Sequence, residues 1–326
     1  MNTFNEFPAC LGLTLVDIGA AEGIHPRWGS LSNPNLSVLM VEPEADAFSK
    51  LVGDSAGRIK ATAVALSSEP GTRTLFVAKK GRCSSFQERN FDFVDLFPNK
   101  ERFEIIRKDE IETHTLDGIC AAQGIPVADF IKIDVEGHEH AVIAGGQKCF
   151  SDAIGIEAEM VFAPIYKGGT HFCDQHKSYT EMGFELYDLQ RYYWKRDKGR
   201  MLPSPGQLIY CNGLYLKTPE RVLSESHTDS RRVAATLRIY ATFGLYDLVE
   251  SLRDLASEAG LIDDELQAMV SAEISKRRYT KARQTRAGLL HRILIKLSDV
   301  TARIARKIEP TERERDYFSA DQNLGH

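Results

Sequence analysis

The chain has 326 residues, too many for one small domain, and its 43% hydrophobic and 27% charged content excludes a fibrous or largely disordered protein. No run approaches the roughly 20 apolar residues that cross a bilayer, and the start, MNTFNEFPACLG, has neither the basic nor the apolar region of a secretory leader. A formal charge of −5 names no partner by itself, so the expectation is a soluble, cytoplasmic protein with one core domain of about 200 residues and an appendage.

In chain order, Leu13 to Gly23 reads LTLVDIGAAEG. A short apolar run ending in Asp17 and then in Gly19, Ala20, Ala21 and Gly23 predicts a buried parallel strand and a tight, unbulky turn. Ser37 to Val41 predicts a second strand, closed by Glu42 and Pro43. An acidic residue at the tip of a second strand is placed to accept hydrogen bonds from ribose hydroxyls, which points to a nucleoside-bearing cofactor. The spacing Asp17-x-Gly19-x-x-x-Gly23 lacks the middle glycine of a dinucleotide fingerprint and puts Glu22 where a pyrophosphate would sit. An acidic strand end suits a cationic ligand better than a diphosphate. A glycine-rich turn of any α/β protein is the bland alternative.

Arg58 to Leu66 predicts a third strand, with shorter extended pieces at Arg73 to Ala78 and Arg102 to Arg107. Between them, Lys79 to Lys100 mixes Phe86, Phe91, Phe93 and Phe97 with charge, which fits either a mobile lid or a surface excursion whose phenylalanines pack on the core. Thr115-Leu116-Asp117 opens a helix that Gly124-Ile125-Pro126 ends. The fourth core strand, Asp129 to Val135, carries Lys132 in an otherwise apolar run and leads into Asp134, Glu136, His138 and Glu139. Charges are rarely set beside a core strand without partners, and this tip shares a crevice with Asp17 and Glu42 in a doubly wound sheet. Asp134 and Glu136 rank above His138 as proton acceptors, His138 being equally readable as a solvent-facing residue at a helix start. Glu139 reads as a first-turn residue complementing the helix dipole.

A fifth strand, Ala153 to Ala158, ends near Glu157 and Glu159, which alternation puts on one side. Gly183 to Leu189 and Gln207 to Leu216 complete a mostly parallel seven-stranded sheet with an antiparallel end. Between them, Tyr193 and Trp194 among Arg191, Lys195 and Arg196 fit a stacking platform for a sugar ring or, preferably, an ordinary hairpin with aromatic packing. Six scattered cysteines without a CxxC pair predict free, buried thiols and no metal site.

After Thr218-Pro219 the pattern is helical, so residues 1–218 and 219–326 are expected as a core domain and a helical extension. Lys276 to Arg315 holds 13 Lys or Arg against four Asp or Glu, a net of +9 that leaves −14 for the rest. Leu290, Ile293, Leu294, Leu297, Ile304 and Ile308 make one stripe of this basic helix. Docking on the acidic core in the same chain or in a homodimer mate is preferred to contact with an anionic membrane surface. The acidic core and the sequence Asp134-Val135-Glu136-Gly137 disfavour nucleic acid as a substrate.

The motif DxGxxxG resembles motif I of class I S-adenosylmethionine-dependent methyltransferases. DFIKIDVEGHE, with TLD before it, Ser84-Ser85, VEPEADAFSKL and GIEAE, resembles the FkbM family of methyltransferases over about Leu13 to Lys217. The resemblance implies a Rossmann-like α/β fold with helices on both faces, S-adenosylmethionine as cofactor, and transfer to a hydroxyl of a sugar, glycan or related natural product. It implies that Asp17, Ile18, Gly19, Ala20 and Gly23 wrap the methionine end, that Glu42 and Pro43 hold the ribose, that Ala65 lies near the adenine, and that Asp134 sits beside the methyl group. Glu157, Glu159, Tyr193 and Trp194 are the candidates for the acceptor. A nicotinamide-dependent oxidoreductase and a non-catalytic scaffold using the helical arm are the competing readings.

Overall fold

The computed structural model describes residues 6–51, 57–198 and 201–279. Among these, seven strands form one sheet in the order β3-β2-β1-β7-β8-β10-β9. They are β1 (Leu13–Ile18), β2 (Leu36–Val41), β3 (Ile59–Thr62), β7 (Phe130–Ile133), β8 (Gly155–Val161), β9 (Glu185–Trp194) and β10 (Gln207–Leu216). β10 runs antiparallel to both of its neighbours, and the other pairings are parallel. This is the Rossmann-like class I methyltransferase arrangement that the resemblance implies. β1 and β2 are mostly apolar and buried along almost their whole length, as strands in the middle of a parallel sheet are. Their side chains join those of β7 and β8 in a core that includes Val16, Leu39, Ile131, Ile156 and Phe150.

A second sheet joins β4 (Ala65–Leu66), β5 (Gly71–Ala78) and β6 (Ile105–His114) in the order β4-β6-β5. The expected single strand Arg58 to Leu66 is thus two strands in two sheets. The chain leaves the edge of the main sheet after Thr62, and Ala65 and Leu66 pair in parallel with Thr113 and His114. β6 outruns the expected Arg102 to Arg107 because its charged residues lie on an open ribbon, so no apolar alternation marks it. β9 likewise continues through Tyr193 and Trp194 as a hairpin arm of β10.

The helices are α1 (Ala45–Phe48), α2 (Phe91–Val94), α3 (Leu116–Ala122), α4 (Glu139–Gly145), α5 (Gln147–Asp152) and α6 (Phe172–Glu181), followed by α7 (Pro219–Ser224), α8 (Ser230–Thr242) and α9 (Tyr246–Glu258). Thr115 caps α3, its hydroxyl accepting from Gly118 N at 3.1 Å. Asp229 caps α8 through Arg232 N at 2.8 Å. α8 is buried along most of its length and holds the strands from their N-terminal ends. Arg231 grips the buried Asp129 ahead of β7 with two bonds of 2.8 and 2.6 Å, and Arg238 donates to the carbonyls of Leu11 and Asn35. The compact unit bearing the sheet therefore extends to Ser271, past the boundary at 218 expected from the pattern change.

In the second unit, which begins at Ala272, residues 272–279 are helical, with Arg277 Nε 2.7 Å from Glu273 Oε1. The rest of the basic stretch, with its proposed dimer and membrane contacts, lies outside the described residues. No helix among the described residues is long and apolar enough to cross a membrane.

Candidate active site

The order of the sheet reverses between β1 and β7, and the loops leaving these two strands meet at their C-terminal ends. Such a switch point opens the crevice in which α/β sheets hold ligands. Gly19 N and Ala20 N both donate to Val41 O, at 2.9 and 3.2 Å, and Asp134 N donates to Ile18 O at 3.0 Å. Gly19 has φ +76°, and a Cβ there would lie 1.9 Å from Asp134 O, so glycine alone permits this approach. Gly23, at φ +72°, closes the turn by donating to Ala20 O at 2.8 Å.

Strand register sets Asp17, Lys132 and Glu157 side by side on one face of the sheet. Lys132 Nζ lies 3.4 Å from Asp17 Oδ1 and 3.5 Å from Asp134 Oδ2, and donates to Gly19 O at 2.9 Å. Burial works against its charge, yet Asp134 and Asp17 override it and hold the ammonium above the usual lysine range. Burial pushes Asp17 up, against the pull of the same lysine. The unexplained lysine of the sequence is thus the cation that ties the glycine turn to Asp134. Glu157 is engaged elsewhere, 3.1 Å from Arg27 Nη1.

Glu42 sits at the tip of β2, almost wholly buried, and its Oε1 accepts from Glu44 N at 2.8 Å. Burial raises its carboxyl to about 7. Pro43 turns the chain toward α1, whose first turn Glu44 caps through Ala47 N. Ala65 is buried in the second sheet rather than at the end of a third core strand.

Asp134, Glu136 and Glu159 bring carboxylate oxygens to within 4.8 Å of one another. Spacing alone could not pair Glu159 with the first two, since β8 delivers it from another part of the chain. Glu136 stands at φ +55°, and its backbone carbonyl accepts from Ser85 Oγ at 2.6 Å. Its side chain accepts from the Tyr166 hydroxyl. Burial, reinforced by Asp134, raises Glu136 to about 7, with Arg89 and Tyr166 pulling the other way. Burial beside Asp134 and Glu136 drives Glu159 well up. Glu139 is buried and its Oε1 accepts from Val135 N and Gly137 N, so it staples the acidic loop rather than merely answering the helix dipole.

His138 neither faces solvent nor offers a free nitrogen. It is 4% exposed, its Nε2 lies 3.2 Å from Ser67 Oγ and its Nδ1 3.2 Å from Gln87 Nε2, with Phe86 packed edge-on. Burial, helped by Arg73, lowers it to about 4, so the ring is neutral near pH 7. That environment withdraws it from proton transfer at the carboxylates.

The segment from Lys79 to Phe103 covers the strand tips through named contacts. Arg82 meets Glu22 of the glycine turn at 2.6 Å, Ser85 holds Glu136, and Asn90 N donates to Ile165 O. Phe97 is buried with Phe93 packed against it and Phe86 lies on His138, as the plainer reading expects, whereas Phe91 is exposed. Trp194 packs on Phe97, Phe103 and Tyr210, whereas Tyr193 points outward from the same strand. These two side chains form no joint platform. No local pattern in the sequence marks Arg89, and the glycine pair Gly168-Gly169 is the one local signal beside Tyr166.

Strand order and a glycine-walled turn at the switch point define a class I methyltransferase domain. The Methyltransferase FkbM domain profile matches residues 17–186, and the chain belongs to that family. No curated protein matches the chain. Two solved structures are similar in part. One is the 16S rRNA (adenine(1408)-N(1))-methyltransferase from Catenulisporales acidiphilia, 11% identical with a TM-score of 0.27 over 64% of this chain and 90% of that one. The other is Sp1610 from Streptococcus pneumoniae, "a putative tRNA (m1A22) methyltransferase", 11% identical with a TM-score of 0.28 over 81% of this chain and 90% of that one. The fold assignment stands on the strand order and not on these likenesses.

Proposed function

We propose that the protein is an S-adenosylmethionine-dependent O-methyltransferase acting on a hydroxyl of a sugar, glycan or related natural product. The carrying observation is the turn at Gly19, pressed against Asp134 where a Cβ has no room, and bordered by an excess of acids. Family membership supports methyl transfer, and the hydroxyl acceptor is our reading of the carboxylates at the strand tips.

The residues fit this cofactor. Asp17, Ile18, Gly19, Ala20 and Gly23 would hold its methionine end, Glu42 and Pro43 its ribose, and Asp134 the region of the methyl. The acid excess suits a cationic ligand and opposes a diphosphate. When bound, S-adenosylmethionine supplies a methyl group on a sulfonium, whose sulfur keeps the bonding pair as the methyl leaves.

The chain's own task is to align the acceptor oxygen, about 3 Å from its target, and to receive the hydroxyl proton. Asp134 and Glu136 would take that role, and Glu159, whose carboxylate lies close to theirs, would border the acceptor. The partners are thus a small hydroxylated acceptor and no nucleic acid, in keeping with an acidic crevice.

Calorimetric titration with S-adenosylhomocysteine and, separately, NAD tests the reading. Micromolar binding of the first alone is expected, followed by methyl incorporation into one of a panel of sugar nucleotides and lipid-linked glycans. Binding of NAD alone would transfer the protein to the oxidoreductases, and binding of neither would leave a scaffold.

A further inference from the structure

Tyr166 is the side chain whose surroundings most exceed what packing requires. Its ring lies beneath the Arg89 guanidinium, 4.1 Å from ring centre to Cζ. A Cβ at Gly137 would come within 2.8 Å of Tyr166 Cδ2, and one at Gly169 within 2.8 Å of Tyr166 Cβ. Arg89 is itself fixed, donating through Nη2 to Cys83 O at 2.6 Å and facing Phe103 with its other side. So clamped, the phenol aims its one polar atom at the Glu136 carboxylate. From the covering segment, Ser85 holds the same residue by its carbonyl in a left-handed backbone conformation. Two elements distant in sequence thus fix both the main chain and the carboxylate of Glu136. Asp134, by contrast, is turned toward Lys132.

We propose that Glu136, rather than Asp134, takes the acceptor's proton and that Tyr166 is the positioning residue that holds the Glu136 carboxylate for it. This rests on the hydroxyl-methylation reading above. The acceptor O–H bond breaks, an O–H bond forms on Glu136, and the pair left on the acceptor oxygen makes the bond to the methyl carbon. Tyr166 keeps its own proton throughout, burial and Glu136 holding its phenol well above the usual range. The groups facing Glu136 are the acids Asp134 and Glu159, the cations Arg89 and Arg102, the phenols Tyr166 and Tyr210, and the Cys83 thiol.

The test follows the glutamate side-chain carbons of the full-length protein by carbon-13 nuclear magnetic resonance across pH, without cofactor. The resonance lost in Glu136→Gln should titrate in the wild type, and the tyrosine Cζ resonance lost in Tyr166→Phe should move with the same midpoint. In Tyr166→Phe, which keeps the ring against Arg89 and the glycines, the Glu136 midpoint should rise by about one pH unit, a tenfold change in proton binding. S-adenosylhomocysteine affinity should stay unchanged. With an acceptor in hand, the acidic limb of kcat should move by the same amount. Separate midpoints in the wild type, or an unmoved Glu136 in Tyr166→Phe, would overturn the pairing, and an unmoved kcat limb would overturn Glu136 as the base. Failure of the wild type to bind S-adenosylhomocysteine would sink the methyl-transfer reading while the pairing stayed measurable.

Discussion

Single residues at the strand tips divide into those that shape the crevice and those that charge it. Gly19→Ala drives a methyl into the Asp134 carbonyl, whereas at Gly23 a Cβ would meet nothing within 4 Å and only the positive φ is strained. Gly19→Ala is therefore expected to abolish S-adenosylhomocysteine binding, while Gly23→Ala costs about 1–2 kcal/mol of stability and keeps it. Calorimetry with thermal unfolding separates the two. Glu42→Ala should weaken binding by about 1–3 kcal/mol through lost hydrogen bonds to the ribose. Unchanged affinity would remove that role.

His138 gives a pH signature whose sign follows from its surroundings. Folded, it takes a proton only near pH 4, against 6.5 for the ordinary group. Between those values the unfolded chain holds more protons, so this contribution is intact above 6.5 and is lost as pH falls toward 4. Glu42, Glu136 and Glu139, each raised from 4.5 to about 7, act oppositely and favour the folded state as pH falls across their window. Replacing His138 with Gln should shift unfolding free energy in the variant's favour between pH 6.5 and 4, by at most about 3 kcal/mol. Denaturant unfolding at several pH values measures it.

Among the elements, the β9–β10 hairpin separates the roles of two neighbouring aromatics. Trp194 packs among Phe97, Phe103 and Tyr210, so Trp194→Ala should cost about 3 kcal/mol of stability, the low end for a half-buried large side chain. Tyr193→Ala should cost less than about 1 kcal/mol. Equal losses in denaturant unfolding would contradict this division. The elements most legible in the sequence were those with mostly apolar runs, β1, β2, β7 and β10, because burial leaves that mark. The bend after Thr62 and the length of β6 were illegible, since one lies inside an apolar run and the other on an open charged ribbon. In the site, Asp17, Gly19, Glu42 and Asp134 were readable as strand-tip residues. The roles of Lys132, Glu159, Tyr166 and Arg89 depend on contacts between distant segments, and no local pattern records those.

For the whole molecule, the C-terminal helices belong to the stability of the sheet. Buried Lys217 Nζ meets Glu225 at 2.6 Å, and Glu225 in turn meets Arg232 at 2.5 Å, joining β10 to α8. A chain ending at Thr218 would lose Arg231, Arg232 and Arg238 together and leave Asp129 buried without its partner, an omission costing about 3–5 kcal/mol by itself. Such a chain should fail to fold, whereas one ending at Ser271 should retain a cooperative thermal transition and bind S-adenosylhomocysteine.

The ammonium of Lys132 bears on how the protein tells substrate from product. One ammonium faces two acids at the glycine turn, with Glu136 and Glu159 close to Asp134, so the crevice keeps an excess of negative charge even with this tethered counter-ion. On the reading proposed above, the positive sulfur of the methyl donor would be held more firmly there than the neutral thioether left after transfer, and the lysine would narrow that difference without removing it.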